Sequence, residues 1–281
     1  MNIVDGKKIA KEIIERLKAQ PKPQKFLAVF SVGDDPASLS FIKQKEKTAK
    51  ELGIDFRLYK FAPEIGQDEL REEVRKIAEH KTCGGVIVQL PLPAHVNAQY
   101  VLNAVPREKD VDVLGERALG AFYAGRNPVL PPAVGVLGEI LRATNFDLQK
   151  SIVAVVGLGA LVGKPVSMWL MRKVKGLHLL RSVSDFSVLK DADLVISGVG
   201  NVGLIKLEML KPGAGVIDFG YDTKHETQNM EHETSGGKKI YGDFDTSGHM
   251  LHAVGFYTPT PGGTGPILVA EVFENFYKLN S

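Results

Sequence analysis

The chain has 281 residues, with 35 Lys+Arg against 33 Asp+Glu for a formal charge of +2, and 44% hydrophobic and 24% charged residues. That composition belongs to a folded globular protein and excludes a disordered, collagen-like or fibrous chain. The near balance of charge leaves no broad basic face, so nucleic acid is not an expected partner. At roughly 100–200 residues per domain the length suggests two domains or one large one. The single cysteine, Cys83, rules out an internal disulfide and fits a reducing compartment. Residues Met1–Lys8 lack an apolar signal core, and the longest apolar runs, such as 152–159, fall far short of the roughly 20 residues that span a bilayer. A cytoplasmic protein without a membrane partner is expected.

In chain order, Ile9, Ile13, Ile14 and Leu17 recur at helical spacing after Asp5, a plausible N-cap. Residues 26–30, Phe-Leu-Ala-Val-Phe, read as a buried strand. Asp34-Asp35-Pro36 opens a helix over about 37–52, with an aspartate at the cap and a proline in the first turn, and Gly53 closes it. A strand over 54–60, a helix over 68–80 and an apolar strand over 85–90 follow. Strand, helix, strand, helix, strand predicts a parallel α/β sheet. The alternation resumes at a second strand set, 152–156, 177–180, 193–196 and 214–218, with a helix reaching about Arg172 after the first of them. The boundary between the two α/β units falls near 143–150. The polar run 223–239 reads as an exposed loop, and a final helix covers about 266–279.

The segment from Gly157 to Pro165 joins a buried strand to a helix and places Gly157, Gly159 and Gly163 in a G-x-G-x-x-x-G pattern. Glycines let backbone approach a pyrophosphate, and a helix N-terminus offers free N–H groups to it. The same glycines would also serve a tight turn alone. An NAD site usually has an acid at the end of the second strand for the ribose hydroxyls. Here that strand ends Leu179-Leu180-Arg181-Ser182, with no carboxylate. Arg181 suits a 2′-phosphate and Ser182 a further hydrogen bond, so NADP is the expected cofactor.

In the first half, Phe41 and Lys45 lie four apart on one helical face. A desolvated lysine can act as a base. Lys43, Lys45, Lys47 and Lys50 equally describe a solvated lysine face. Gln89 ends an apolar strand, where ligands of parallel sheets bind. Asp110 and Asp112, in Lys-Asp-Val-Asp, are either ligand groups or turn formers. The loop 258–266, with Pro261, Gly262 and Gly263, is rigid and glycine-rich, and reads either as a backbone contact to a ligand or as a linker.

Taken together, Val32–Ser38, Val88–Pro93, Lys109–Asp112, Gly157–Pro165 and Thr258–Pro266 resemble the bifunctional methylenetetrahydrofolate dehydrogenase/methenyltetrahydrofolate cyclohydrolase family over nearly the whole chain. The resemblance implies an N-terminal α/β catalytic domain, residues 1–143, completed by the C-terminal helix 264–281. It implies a Rossmann-type NADP-binding domain over 144–263, a folate cleft between the two, and a homodimer. Lys45 matches the lysine of the cyclohydrolase step, Gln89 the glutamine that tunes it, and Asp112 the aspartate that anchors the pterin. Substrate contacts then include Phe41, Pro261, Gly262 and Gly263. Cofactor contacts include Gly157, Leu158, Gly159, Gly163, Arg181, Ser182, Gly200 and Tyr221, and no metal is implied.

The sequence also departs from the family pattern. Phe41 stands where a tyrosine is usual, Val113–Glu116 where Gly-Phe-His-Pro is usual, and Leu130–Ala133 where Pro-Cys-Thr-Pro is usual. Leu158-Gly159 replaces Arg-Ser in the cofactor loop, and Leu268 replaces a threonine. The expected function is NADP-dependent oxidation of methylenetetrahydrofolate and hydrolysis of the product to formyltetrahydrofolate. The alternatives are a dehydrogenase with weak or lost cyclohydrolase, or a folate- or nucleotide-binding protein without turnover. A ring without a hydroxyl at Phe41 still stacks but donates no hydrogen bond.

Overall fold

The structure is a computed structural model that describes residues 2–181, 183–222, 240–247 and 251–281. The predicted loop at 223–239 lies outside them. In chain order the elements are β1 (Asn2–Ile3), α1 (Gly6–Lys18), β2 (Phe26–Val32), α2 (Pro36–Leu52), β3 (Phe56–Phe61), α3 (Gln67–Glu79), β4 (Cys83–Val88), α4 (Ala98–Leu102), α5 (Glu116–Tyr123) and α6 (Pro132–Ala143). They continue as β5 (Ile152–Val156), α7 (Gly163–Leu170), β6 (Gly176–Leu180), β7 (Leu194–Ser197), β8 (Gly215–Asp218), β9 (Phe256–Tyr257) and α8 (Thr264–Lys278). Among the described residues no helix is long and apolar enough to cross a membrane.

Two compact units divide the chain, one of residues 10–135 with 268–281 and one of residues 1–9 with 136–267. The first holds a parallel sheet in the order β3-β2-β4. All seven residues of β2 are buried, as expected of a strand covered on both faces. Phe30 is fully buried and stacks on Tyr59 of β3, with ring centroids 5.1 Å apart. Burial of such a side chain stabilises by about 1.5–3 kcal/mol. Leu70, Val74 and Ala78 of α3, spaced four apart, pack on the same face of the sheet.

The second unit is a six-stranded parallel sheet in the order β1-β9-β8-β7-β5-β6. From β5 the chain moves outward to β6, then returns to β7 on the other side, so β5 and β7 flank a topological switch point. The first nine residues group with this second unit. Asn2 and Ile3 pair in parallel with Phe256 and Tyr257, on the sheet of the second unit. A two-residue strand carries no alternation, so no local pattern announces it. Residues 268–278 of α8 belong to the first unit.

Candidate active site

Asp35 and Pro36 set the start of α2. The Asp35 carboxylate accepts the N–H of Ser38 at 2.8 Å, and Pro36 occupies the first helical turn. Gly53, at φ 68°, ends the helix in the left-handed conformation. Within α2 the buried positions Ile42, Lys45, Ala49 and Leu52 repeat at intervals of three and four. Lys45 is therefore a core position, only 8% exposed, whereas Lys43, Lys47 and Lys50 are exposed. The solvated-face reading holds for those three and fails for Lys45.

Lys45 Nζ donates to Gln89 Oε1 at 3.0 Å, and Gln89 Nε2 donates to the Leu90 carbonyl at 2.9 Å. That second bond orients the amide so that its oxygen faces the lysine. Gln89 follows directly on β4, and its N–H binds the Phe30 carbonyl at 2.9 Å, so the sheet itself holds it. Burial pulls the Lys45 ammonium below its ordinary value, and the charge of Asp112 opposes that shift. Burial likewise raises the Asp112 carboxyl, and Lys45 opposes it. Both shifts run toward the neutral amine and the neutral acid, with burial as the larger cause of each. Phe41 is half-buried one turn before Lys45.

The two acids of the Lys-Asp-Val-Asp stretch divide their work. Asp110 performs the turn chemistry: its Oδ2 accepts the N–H groups of Leu114 at 3.0 Å and Gly115 at 2.8 Å. Val113, which precedes Leu114 in this turn, takes φ 56°, an uncommon conformation for a β-branched residue. Asn275 of α8, 2% exposed, donates to the carbonyls of Val111 at 2.8 Å and Leu130 at 2.7 Å. Asp112 thus sits on a turn braced from two sides. Sequence reasoning left Asp110 open between turn former and ligand group, and it missed Asn275, whose role depends on where distant backbone comes to lie.

Burial pushes Asp110 up to about 7; the Gly115 N–H opposes the rise and the Asp112 charge adds to it. An unfolded aspartate titrates near 3.9 (about pH 4), so across roughly pH 4–7 the folded chain keeps a proton that the unfolded chain has lost. Stability associated with Asp110 is present below that window and is lost as pH rises through it. In Asp110→Asn the amide oxygen keeps both N–H bonds and nothing titrates. Melting temperatures of the wild type are expected to drop between pH 5 and pH 8 by more than those of the variant. Parallel drops would remove Asp110 as the source.

In the second unit, the loop after β5 meets the start of α7. A Cβ on Gly163 would overlap the Gly157 carbonyl oxygen, and a Cβ on Gly157, at φ 86°, would come within 2.8 Å of Val199. Only glycine allows this close backbone approach. Leu158 is half-buried, Gly159 is exposed, and a Cβ on Gly159 would meet nothing within 4 Å. The loop therefore presents open backbone at the switch point, which fits a dinucleotide pyrophosphate. Arg181 follows β6 directly and is exposed. Its neighbouring acid, Asp185, caps the next turn through Ser187, accepting from its N–H at 2.9 Å and its hydroxyl at 2.7 Å. Ser182 lies outside the described residues.

Gly200, at φ 75°, occupies the turn after β7, and Tyr221, half-buried, follows β8. Pro261, Gly262 and Gly263 lie between β9 and α8 in the second unit. Gly262 has φ 100° there, and the Gly263 N–H binds the Pro259 carbonyl at 2.8 Å. Lys45, Gln89 and Asp112 come together within the first unit.

Fold and geometry define an α/β enzyme with a dinucleotide-binding sheet in one unit and a buried lysine beside a half-buried amide and carboxylate in the other. Residues 4–112 match the tetrahydrofolate dehydrogenase/cyclohydrolase catalytic domain, and residues 131–281 match the NAD(P)-binding domain of the same enzymes. The chain belongs to the tetrahydrofolate dehydrogenase/cyclohydrolase family. It is 34% identical over 291 residues to the bifunctional protein FolD of a Hydrogenobaculum species, covering 99% of this chain and 98% of that one. The crystal structure of bifunctional FolD from Campylobacter jejuni superposes with a TM-score of 0.90 at 29% identity, covering 100% of this chain and 98% of that one. The Trypanosoma brucei enzyme, solved with NADP cofactor and inhibitor, gives a TM-score of 0.88 at 25% identity, covering 99% and 96%.

Proposed function

We propose that this protein oxidises methylenetetrahydrofolate to methenyltetrahydrofolate with NADP and hydrolyses that product to formyltetrahydrofolate, in the cytoplasm and as a homodimer. The observation that carries this reading is Lys45, buried and hydrogen-bonded to Gln89, with Asp112 close enough to shift it. Asp112 accepts hydrogen bonds from the pterin, and the Phe41 ring stacks against the folate. Bound NADP supplies the acceptor for the hydride that leaves the methylene carbon. In the second step water attacks the methenyl carbon, and Lys45 Nζ, whose ammonium burial pulls below its ordinary value, accepts the proton released. One carbon–nitrogen bond then breaks, the freed nitrogen takes a proton from Lys45, and the hydroxyl proton passes to solvent water, which leaves the formyl carbonyl and accounts for the one proton the hydrolysis releases. Gln89 keeps Nζ in place through both transfers.

The backbone of Gly157–Gly163 approaches the pyrophosphate, and Arg181 pairs with the 2′-phosphate. No acid stands at the end of β6, and Asp185 is engaged with Ser187. Arg181→Ala is expected to raise KM for NADP roughly tenfold, the scale of one charge-assisted hydrogen bond, and to leave KM for NAD unchanged. A kcat/KM preference for NAD that Arg181→Ala does not alter would contradict NADP. The reaction itself is tested by adding methylenetetrahydrofolate and NADP to purified protein and following NADPH; no NADPH overturns the proposal. The homodimer part of the proposal rests on the family to which the chain belongs. Light scattering behind size exclusion reads the mass directly, and a monomer there removes that part.

A further inference from the structure

A second buried carboxylate stands behind the dinucleotide loops. Asp243 is 1% exposed and belongs to no helix or strand. Its Oδ2 accepts the Ser197 hydroxyl at 2.6 Å and the Val199 N–H at 2.8 Å, and its Oδ1 accepts the Asn201 N–H at 2.7 Å. Ser197 ends β7, and residues 198–201 form the turn that follows it at the switch point. One side chain therefore holds the last residue of the strand and both neighbours of Gly200.

Gly200 itself is exposed at φ 75°, and a Cβ on it would meet nothing within 4 Å. The turn thus keeps its fixed side toward Asp243 and leaves its open side for a ligand. The same turn touches the other loop, since a Cβ on Gly198 would come within 2.9 Å of Val162. Asp243 is also fixed in its own right: the Ile205 N–H binds its carbonyl at 2.8 Å, and a Cβ on Gly220 would overlap its carboxyl carbon. A carboxylate suits this place because all three partners offer donors and a carboxylate only accepts.

We propose that Asp243 is a positioning residue for the dinucleotide, its carboxylate setting the 198–201 turn in the shape that receives the cofactor. The inference rests on the dinucleotide reading above. Asp243→Asn keeps the size but turns an amide NH2 toward a backbone N–H, so at least one of the three bonds is lost. NADPH affinity, read by titrating its fluorescence, is expected to weaken roughly tenfold or more, the scale of a hydrogen bond to a charged group. Hydrolysis of methenyltetrahydrofolate without dinucleotide, and the circular-dichroism melt, are expected to stay near wild type. Unchanged NADPH affinity overturns the inference. So does parallel loss of affinity, hydrolysis and melting temperature, which marks a staple of the fold and nothing more.

If Asp243→Asn does not fold, Ser197→Ala removes a single donor and leaves the carboxylate. A several-fold weaker NADPH affinity with hydrolysis unchanged then supports the inference, and no change overturns it. Wild-type protein that binds no NADPH overturns it as well. Wild type that binds NADPH without oxidising methylenetetrahydrofolate breaks only the proposed reaction.

Discussion

Lys45→Met is expected to slow the hydrolysis of methenyltetrahydrofolate by about 10²–10⁴-fold, the usual contribution of a positioned acid–base group. Methionine matches the aliphatic stem of lysine, so packing beside Ile42, Ala49 and Leu52 survives. A circular-dichroism melt runs beside the assay to separate lost chemistry from lost fold, because the change also takes the donor away from Gln89 Oε1. It also removes the one charge that opposes protonation of Asp112, whose carboxyl then rises further. Folate binding should persist, because Asp112 and the Phe41 ring remain. The assay is hydrolysis in the absence of dinucleotide, with substrate affinity measured in parallel. Full hydrolysis by the variant would exclude Lys45 from the reaction.

Gly163→Ala should act on the other unit and leave hydrolysis intact. The added methyl would overlap the Gly157 carbonyl and come within 2.8 Å of the Leu158 Cα. Both obstacles are backbone, so no side-chain rotation relieves them. The loop must move by an appreciable fraction of an ångström, and a misplacement of about 1 Å can cost on the order of 10²-fold in catalysis. NADP-dependent oxidation is expected to fall by about that factor, with NADPH affinity falling alongside. Overpacking of this kind also destabilises by about 1–3 kcal/mol. Dinucleotide-free hydrolysis serves as the control for folding. An NADPH affinity within twofold of wild type would show that the loop does not need its close approach.

The glycine-rich turn between strand and helix was legible because its signal is local. Gly157 and Gly163 stand between a strand and a helix, and Arg181 follows the next strand. Lys45 was half legible. Phe41 and Lys45, four apart, share a helical face, yet the neighbouring Lys43, Lys47 and Lys50 suggested a solvated surface, and the packing of Ile42, Ala49 and Leu52 decides between the two. The Asp110 and Asp112 pair carried two readings, turn former and ligand group, and the fold assigns the turn to Asp110.

What stayed hidden depends on long-range contacts. Asn275 reaches Val111 across 164 residues, Asp243 reaches Ser197 across 46, and β1 pairs with β9 near the other end of the chain. No spacing rule within a segment encodes such pairs. Asp218 illustrates the point. It reads as the last residue of a buried strand, yet its carboxylate accepts the N–H groups of Gly220 at 2.7 Å and Phe244 at 2.9 Å. Burial, with the nearby Asp243 adding to it and those N–H groups opposing it, pushes its carboxyl up to about 6.

The most direct test is the product balance from methylenetetrahydrofolate and NADP with the purified wild type. The proposed role of Lys45 as the base, beside Gln89 and Asp112 in a chain with an NAD(P)-binding domain, predicts NADPH and formyltetrahydrofolate in equal amounts, with methenyltetrahydrofolate passing only transiently. Methenyltetrahydrofolate accumulating in step with NADPH, and decaying no faster than in buffer alone, would contradict the hydrolytic role assigned to Lys45.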